Sequence, residues 1–234
     1  KRGHELDSPK NVNENENCEV NSKKVIFFKI VNNEKEFNDF QNFDFENSFP
    51  PTYTYSLFAN EIIHGYRGLK ILISISPKTF FLHLNIIYTK ELKIHDDIRK
   101  ILSDHFKTCH TTDPKIFIEK LKEEHNLKKP KGKKIYAEGE REIYNVDIIE
   151  DKFNIENQSI QCLCTFFIDA ASFIPIETNF WKYFLVIEKI NPVEDDWHLI
   201  GFCSYKNFHF ELDKYNSMIS QFLIIRPYQR KGFG

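Results

Sequence analysis

Short apolar runs bounded by turn-forming residues recur along the chain and predict β-strands. Residues 24–31 predict a first strand. Residues 69–75 and 79–88 predict an antiparallel pair, because the short segment Ser76-Pro77-Lys78 between them suits a hairpin connection. Later runs predict a meander with an acidic turn at 191–196, and its strands are residues 183–187, 197–210 and 219–225.

Helical periodicity lies between these strands in three places. Apolar residues recur at helical spacing from Ile94 to Leu102. Asp113 followed by Pro114 predicts the start of a second helix, since an Asp cap before a first-turn proline is typical of a helix N-terminus. A third apolar face runs from Ile160 to Ile174 and ends before a proline, which cannot continue a helix. Strands and helices together predict an α+β fold.

The remaining polar stretches suggest how the chain is divided. Residues 1–22 have few apolar side chains and predict a disordered tail. Residues 128–134 are basic and predict a solvated loop, with a contact to a phosphate or an acidic partner as the alternative. We therefore predict a mixed α/β module over residues 23–150 and a second module over residues 151–234.

The composition narrows the class of protein. The 234 residues are 41% hydrophobic and include 23 Phe, so a folded chain with an aromatic core is expected. Lys and Arg number 32 against 34 Asp and Glu, which argues against direct binding of nucleic acid through general phosphate neutralisation.

Five irregularly spaced cysteines predict free thiols in a reducing compartment. No apolar stretch is long enough to span a membrane, and no secretory signal is visible.

Histidine and cysteine side chains raise the question of a metal site. His105, Cys109 and His110 are close in sequence, but a structural zinc site usually has four ligands in paired spacing. We therefore expect no metal. Cys162 and Cys164 are expected to be buried thiols.

The end of the chain contains the strongest chemical signal. An apolar strand stops at Pro227 and leads into a turn that contains Gly232 and Gly234 among basic residues. Such a turn exposes backbone N–H groups to an anion, and nearby Arg and Lys side chains add positive charge. Gly-x-Gly is also common in ordinary turns, and the Gly-Lys-Ser/Thr of a P-loop is missing. The segment predicts a phosphate cradle.

Four segments together resemble a known family. Gln229-Arg230-Lys231-Gly232-Phe233-Gly234 after a strand resembles the coenzyme A signature of the GNAT acetyltransferases. The other segments resemble the catalytic subunit of type B histone acetyltransferases and occur in that family's order. They are FPPTYTYSLF at 49–58 with GYRGLKI at 65–71, FIDAASFI at 167–174 and WKYFLVIEK at 181–189. The resemblance implies that residues 151–234 form the first part of a GNAT-like acetyltransferase domain.

The same resemblance implies a reaction and its partners. The protein would transfer acetyl from acetyl-CoA to lysines of the amino-terminal tail of newly made histone H4, by direct attack of a deprotonated lysine on the thioester. A WD-repeat histone chaperone is the implied partner, and the nucleus and cytoplasm are the implied locations. Two alternatives stay open: a peptide-binding module without chemistry, and a GNAT enzyme that acts on another amine.

Matching the family residue by residue implies a candidate site. Asp169 would be catalytic, since it lies where the family has a Glu near the reactive lysine; a capped or salt-bridged structural role is the alternative. The cofactor would be bound by Ile224, Ile225, Arg226, Gln229, Arg230, Lys231, Gly232, Phe233 and Gly234. The histone tail would contact Glu61, Trp181, Phe208, His209 and Phe210.

Two further expectations concern the last residues. The family's principal general base, a Glu, lies on a strand beyond the glycine-rich turn, so residues 1–234 alone are expected to be catalytically crippled. Final residues that fold inward against aromatic side chains would overturn the enzymatic interpretation.

Overall fold

A computed structural model describes residues 18–147, 159–174, 181–191, 195–211 and 214–233. The elements of the first part are β1 (Glu19–Asn21), α1 (Ser22–Val25), β2 (Ile26–Ile30), α2 (Glu34–Gln41), β3 (Ile62–His64), β4 (Tyr66–Arg67), β5 (Lys70–Ile75), β6 (Leu82–Ile87), β7 (Lys90–Glu91), α3 (Ile98–Phe106), β8 (His110–Thr111) and α4 (Pro114–Glu124). Those of the second part are β9 (Lys133–Glu138), β10 (Arg141–Asp147), α5 (Ser159–Phe167), β11 (Trp181–Asn191), β12 (Asp196–Glu211) and β13 (Lys214–Ile224). The mixture of helices and strands confirms the α+β fold class.

A four-stranded sheet in the order β2-β5-β6-β8 forms the centre of the first part. Strands β5 and β6 are antiparallel and confirm the predicted hairpin. Strand β2 lies parallel to β5 on one side, and β8 lies parallel to β6 on the other. Strand β5 is central and almost fully buried, as expected for its continuous apolar run.

A five-stranded antiparallel sheet in the order β13-β12-β11-β10-β9 forms the second part. Strands β11, β12 and β13 confirm the predicted meander. The sequence did not predict strands β9 and β10. Strand β10 pairs with β11, and β9 pairs with β10, so both belong to this sheet although they precede residue 150. The division of the chain at that residue stays a prediction.

The start of the described chain corrects two expectations. Residues 19–21, predicted to be disordered tail, form β1 and pair with β3, a contact that depends on residues far away in sequence. Residues 22–25 form the short helix α1, so the first strand begins at Ile26. Ser22 is fully buried, and its hydroxyl makes hydrogen bonds with the Thr54 hydroxyl and the Glu61 carbonyl. Residues 1–17 lie outside the described residues.

Capping side chains set the helix starts. Asp113 accepts a hydrogen bond from the Lys115 N–H and precedes Pro114, which confirms the predicted start of α4. Helix α3 begins only at Ile98, because Asp97 caps it by accepting from the Lys100 N–H. The prediction of helix from Ile94 is therefore wrong, and that side chain is 89% exposed.

One hydrophobic cluster joins both sheets to α5. The buried Phe28 ring of β2 lies 5.1 Å from the Phe166 ring and 5.3 Å from the Phe167 ring, which confirms an aromatic core. Cys162 and Cys164 are buried free thiols, as expected. Within the described ranges, no helix has the length and apolar character needed to cross a bilayer.

Glu142 on β10 is a buried carboxylate surrounded by cations. Its oxygens lie 3.1 to 3.8 Å from the ammonium groups of Lys129, Lys134 and Lys189, and it accepts a hydrogen bond from the Tyr144 hydroxyl at 2.8 Å. Lys129 and Lys134 belong to the segment 128–134 that was predicted to be a solvated loop, so this segment is partly held to the sheet by Glu142. Burial by itself would raise the pKa of Glu142, but the Tyr144 hydrogen bond and the lysines outweigh it and hold the pKa below the ordinary value of 4.5.

Replacing Glu142 by Gln should lower the free energy of unfolding at pH 7 by about 1–3 kcal/mol, because the charge-assisted hydrogen bonds are lost. The depressed pKa gives stability that is present above pH 4.5 and is lost as pH falls through the folded-state pKa. The variant should lack that share of the pH dependence. Urea unfolding at pH 7 and pH 3 measures both effects. Glu140→Gln, in the adjacent exposed turn, is the control; equal losses in the two variants would contradict the prediction.

Candidate active site

Asp169 lies in the turn that follows α5 and is exposed to solvent. The helix ends at Phe167, and Ala170 has a φ of 51°, in the left-handed region. The prediction that the helix continues through Asp169 to Ile174 is therefore wrong, because the backbone leaves the helical conformation at Ala170. The carboxylate is directed by this turn to the surface.

The hydroxyl of Tyr55 binds this turn. It donates a hydrogen bond to Asp169 Oδ1 at 2.6 Å and accepts one from the Ala170 N–H at 2.7 Å. The hydrogen bond to the Asp169 carboxylate raises the pKa of Tyr55, since the carboxylate favours the protonated phenol. In the described part of the chain no cation is paired with Asp169, so the salt-bridged alternative has no partner there.

The segment 52–55 connects the end of α5 to the end of β13. The N–H groups of Thr52 and Tyr53 both donate to the Phe166 carbonyl, at 2.8 and 3.0 Å, and so satisfy a carbonyl in the last turn of the helix. The Thr52 hydroxyl accepts a hydrogen bond from Arg226 at 3.4 Å. Arg226 was itself predicted to bind the cofactor, together with Ile224 and Ile225 at the end of the strand. The acidic turn and that strand end therefore lie side by side.

Strand β13 is an edge strand of the sheet as described. The Ile225 N–H donates to the Ile200 carbonyl of β12 at 2.9 Å, so this amide is used within the sheet. Because backbone groups alternate in direction along an antiparallel strand, the Ile224 N–H is directed to the free edge. The Ile224 carbonyl accepts a hydrogen bond from the Gln229 side chain at 2.7 Å. Of these two isoleucines, Ile224 is the one whose amide is positioned to meet a ligand.

The glycine-rich turn folds back toward the sheet. Arg226–Tyr228 form a 3-10 turn, and Gly232 has a φ of 78°, which favours glycine. The Phe233 ring is half-buried and packs edge-on against the Tyr228 ring at 6.5 Å. Arg230, Lys231 and Gly232 are exposed. The aromatic ring is thus turned inward, as the opposing expectation described, whereas the polar part of the turn faces solvent. Gly234 lies outside the described residues.

The residues predicted to contact the histone tail lie in two separate regions of the structure. Glu61 lies in a turn beside the N-terminal strands, where its carboxylate forms a salt bridge with Lys23 and accepts a hydrogen bond from the Thr54 N–H. Trp181 begins β11, as expected. The Lys206 ammonium lies 5.1 Å from the Trp181 ring and 4.4 Å from the Phe208 ring. The Trp181 and Phe208 rings therefore both contact Lys206, whereas the Glu61 carboxylate is paired with Lys23.

The two remaining predicted contacts are described by their backbone alone. His209 lies in β12, opposite Tyr215 of β13. Phe210 also belongs to β12. The side chains of both residues lie outside the described part of the structure.

Comparison with known proteins identifies the family. The family model described as "Histone acetyl transferase HAT1 N-terminus" matches residues 18–169. The chain belongs to this family. Relatives named histone acetyltransferase type B catalytic subunit include those of Homo sapiens (31% identical over 82% of this chain and 50% of the relative), Candida albicans (31%, 80% and 50%) and Dictyostelium discoideum (29%, 80% and 41%).

These matches confirm the resemblance that the sequence segments indicated. The chain spans about half the length of the curated relatives it matches. The match to the HAT1 family includes Tyr55 and Asp169, so both members of the hydrogen-bonded pair lie within it.

Sequence reasoning missed several residues at this site. Thr52 and Tyr55 belong to a segment that carried the resemblance, and their place in that segment was the available signal. Arg141, which contacts the glycine-rich turn, gave no such signal, because the alternation of residues 135–158 is weak.

Replacing Tyr55 by Phe should speed amide hydrogen exchange at Ala170 by about 10-fold, because the acceptor of that N–H is removed. Exchange measured by NMR or mass spectrometry tests this. Tyr53→Phe is the matched control: its ring lies 6.1 Å from the Tyr55 ring, and the substitution should leave the exchange at Ala170 unchanged. Unaltered exchange in Tyr55→Phe would show that this hydrogen bond does not hold the turn.

Proposed function

We propose that the whole protein transfers the acetyl group of acetyl-CoA to lysine side chains in the amino-terminal tail of histone H4. The observation that carries this proposal is the convergence of three features at one end of the second sheet. The Asp169 turn, the edge of β13 and the glycine-rich turn are joined there through residues 52–55 and Arg226. The names of the relatives support histone acetyl transfer.

Acetyl-CoA supplies an activated acetyl thioester. The residues of this chain fit its chemistry: Ile224 offers an N–H at a strand edge, where an amide-containing arm can pair. Gly232 has no Cβ, so a diphosphate can approach the backbone of the turn closely. The neighbouring side chains of Arg230 and Lys231 are exposed and add positive charge. Gln229 holds the Ile224 carbonyl and so fixes the turn relative to the strand.

Asp169 is proposed to take part in the proton transfer, beside the principal general base, a Glu that the resemblance places beyond the glycine-rich turn. A lysine amine with a pKa of about 10.4 is mostly protonated at neutral pH and must lose a proton before it attacks the thioester. The exposed Asp169 carboxylate would accept that proton, directly or through a water molecule. The neutral amine nitrogen would then attack the thioester carbonyl, and the C–S bond would break as the amide bond forms. One of the two remaining amine protons would pass to the departing thiolate, so that coenzyme A leaves as the thiol. Tyr55 fixes the carboxylate by its hydrogen bond and so helps to position it.

The histone tail would cross the surface formed by Trp181 and Phe208. These rings already contact one ammonium group, that of Lys206, and aromatic faces suit the lysine-rich chemistry of a histone tail. Glu61, His209 and Phe210 are proposed as further contacts on the resemblance alone. A WD-repeat histone chaperone as partner, and residence in nucleus and cytoplasm, are proposed on the same basis.

Separate calorimetric titrations of the chain with coenzyme A and with an H4 tail peptide test the proposal. We expect binding of both. Peptide binding without coenzyme binding would favour the alternative of a peptide-binding module. Transfer assays with the whole protein then compare the H4 peptide with a polyamine; acetylation of the polyamine alone would favour a GNAT enzyme that acts on another amine.

A further inference from the structure

We propose that Arg141 of β10 is a binding residue for the diphosphate of the cofactor, together with the glycine-rich turn. This inference rests on the proposed function, because it assigns a further residue to the same site. The resemblance to the acetyltransferases gave this residue no role.

The sheet register places Arg141 beside the turn. One row of paired residues runs across the sheet at the point where β13 ends, and it consists of Ile143, Val186, Gly201 and Ile224. Arg141 lies two positions from Ile143 on the same strand, so both side chains project from the same face. The chain after Ile224 crosses this face, since Tyr228 and Phe233 pack against the apolar residues of the row. The turn and Arg141 therefore meet on one surface.

Three contacts fix the guanidinium group at the turn. Arg141 Nη2 donates to the Lys231 carbonyl at 2.6 Å. The guanidinium carbon lies 4.2 Å from the centre of the Phe233 ring. A Cβ built on Gly232 would lie 3.5 Å from Arg141 Nη1, so the guanidinium faces the side of the backbone that glycine leaves open. A guanidinium has five N–H donors, and only one of them is used by the Lys231 carbonyl.

The charge around the turn is positive. Arg141, Arg230 and Lys231 lie at the turn, and in the part of the chain that the structure describes no salt bridge joins any of them to a carboxylate. Two carboxylates, Glu138 and Glu188, are paired opposite Arg141 on the neighbouring strands, so the three cations outnumber the acids beside them by one. Glu142, the neighbour of Arg141, is directed to the opposite face and binds three lysines there. An excess of positive charge beside a backbone turn with φ values of 60° and 78° at Arg230 and Gly232 forms a suitable site for an anion with several oxygens.

Titration of the chain with coenzyme A tests this role. Arg141→Gln should weaken coenzyme A binding by about 10-fold or more, the usual effect of removing a charge-assisted hydrogen bond. Pantetheine, which has no phosphate, should bind the variant and the unmodified chain equally, as followed by ligand-observed NMR. Arg141→Lys keeps the charge but loses the planar donor set, so its affinity for coenzyme A should be intermediate.

Lys133→Gln is the matched control. It removes one positive charge from the exposed outer strand of the same sheet and should change coenzyme A affinity less than about two-fold, since exposed and distant charges are screened. Thermal melting of Arg141→Gln checks that the variant is folded.

Two results would overturn the proposal, and they differ from failure of the proposed function. Unchanged coenzyme A affinity in Arg141→Gln would exclude a phosphate contact while leaving the cofactor site in place. Equal weakening of coenzyme A and pantetheine would assign Arg141 to holding the turn alone. Failure of the unmodified chain to bind coenzyme A would reject both this inference and the proposed cofactor.

Discussion

Replacing Gly201 by Ala should lower the free energy of unfolding by about 3 kcal/mol or more, because the added Cβ meets backbone and not a movable side chain. A Cβ at this position would lie 2.1 Å from the Leu223 carbonyl oxygen and 2.9 Å from the Ile224 Cα. Relief of these contacts requires β12 and β13 to separate at the pair of Gly201 and Ile224. This pair lies next to Val186 of β11, where the register between β11 and β12 shifts. Chemical denaturation measures the loss.

Gly139→Ala provides the comparison for Gly201→Ala. Gly139 has a φ of 57°, but no atom lies within 4 Å of the position where a Cβ would be. The substitution should therefore cost only the conformational strain of roughly 1 kcal/mol. Similar losses at the two glycines would show that the close approach of β12 and β13 does not limit residue 201. Gly201→Ala should also weaken coenzyme A binding, since Gly201 pairs with Ile224.

Local signals account for the elements that the sequence predicted. The hairpin of β5 and β6 has a short connection, and α4 has its cap and its first-turn proline. Strand β9 carries no such signal, because all of its six residues are exposed and so no alternation of apolar and polar residues is required. Strand β1 has three residues, and its pairing depends on Ile62–His64 of β3. Such elements are determined by partners distant in sequence.

The candidate site was predictable in its residues more than in its geometry. The resemblance identified Asp169, but the hydrogen bond from Tyr55 joins residues that are 114 positions apart. The contact of Arg141 with the Lys231 carbonyl spans 90 positions. No periodicity in the sequence encodes contacts of this kind, because the first joins a loop of the first part to the turn after α5, and the second joins β10 to the turn after β13. The exposure of Asp169 likewise follows from a left-handed residue that helical spacing does not reveal.

Replacing Asp169 by Asn in the whole protein should lower kcat for acetylation of an H4 tail peptide by about 100-fold, the lower end of the usual contribution of a general base, because the principal Glu implied by the resemblance is retained. The amide of Asn can accept a hydrogen bond from Tyr55 but does not take the proton of the substrate lysine. The turn at Asp169 and Ala170 should therefore keep its structure, while proton transfer from the substrate lysine is impaired. Steady-state rates across a range of pH measure the loss, and amide exchange at Ala170 checks that the turn is retained.

The Asp169→Glu variant tests whether the reaction requires only a carboxylate at this position or also the length of the Asp side chain. The longer side chain is the residue type that the resemblance implies at this position. Activity should stay within about 10-fold of the unmodified protein if the reaction requires a carboxylate here. Tyr55→Phe should reduce kcat less than Asp169→Asn, because it removes only the group that orients the carboxylate. If Asp169→Asn retains nearly full kcat, Asp169 is a residue of the turn and not of the reaction, and the proton acceptor lies elsewhere in the protein. If both Asn and Glu variants are inactive but Tyr55→Phe is not, the position of the carboxylate is set by the short Asp side chain itself, and Tyr55 contributes little to it.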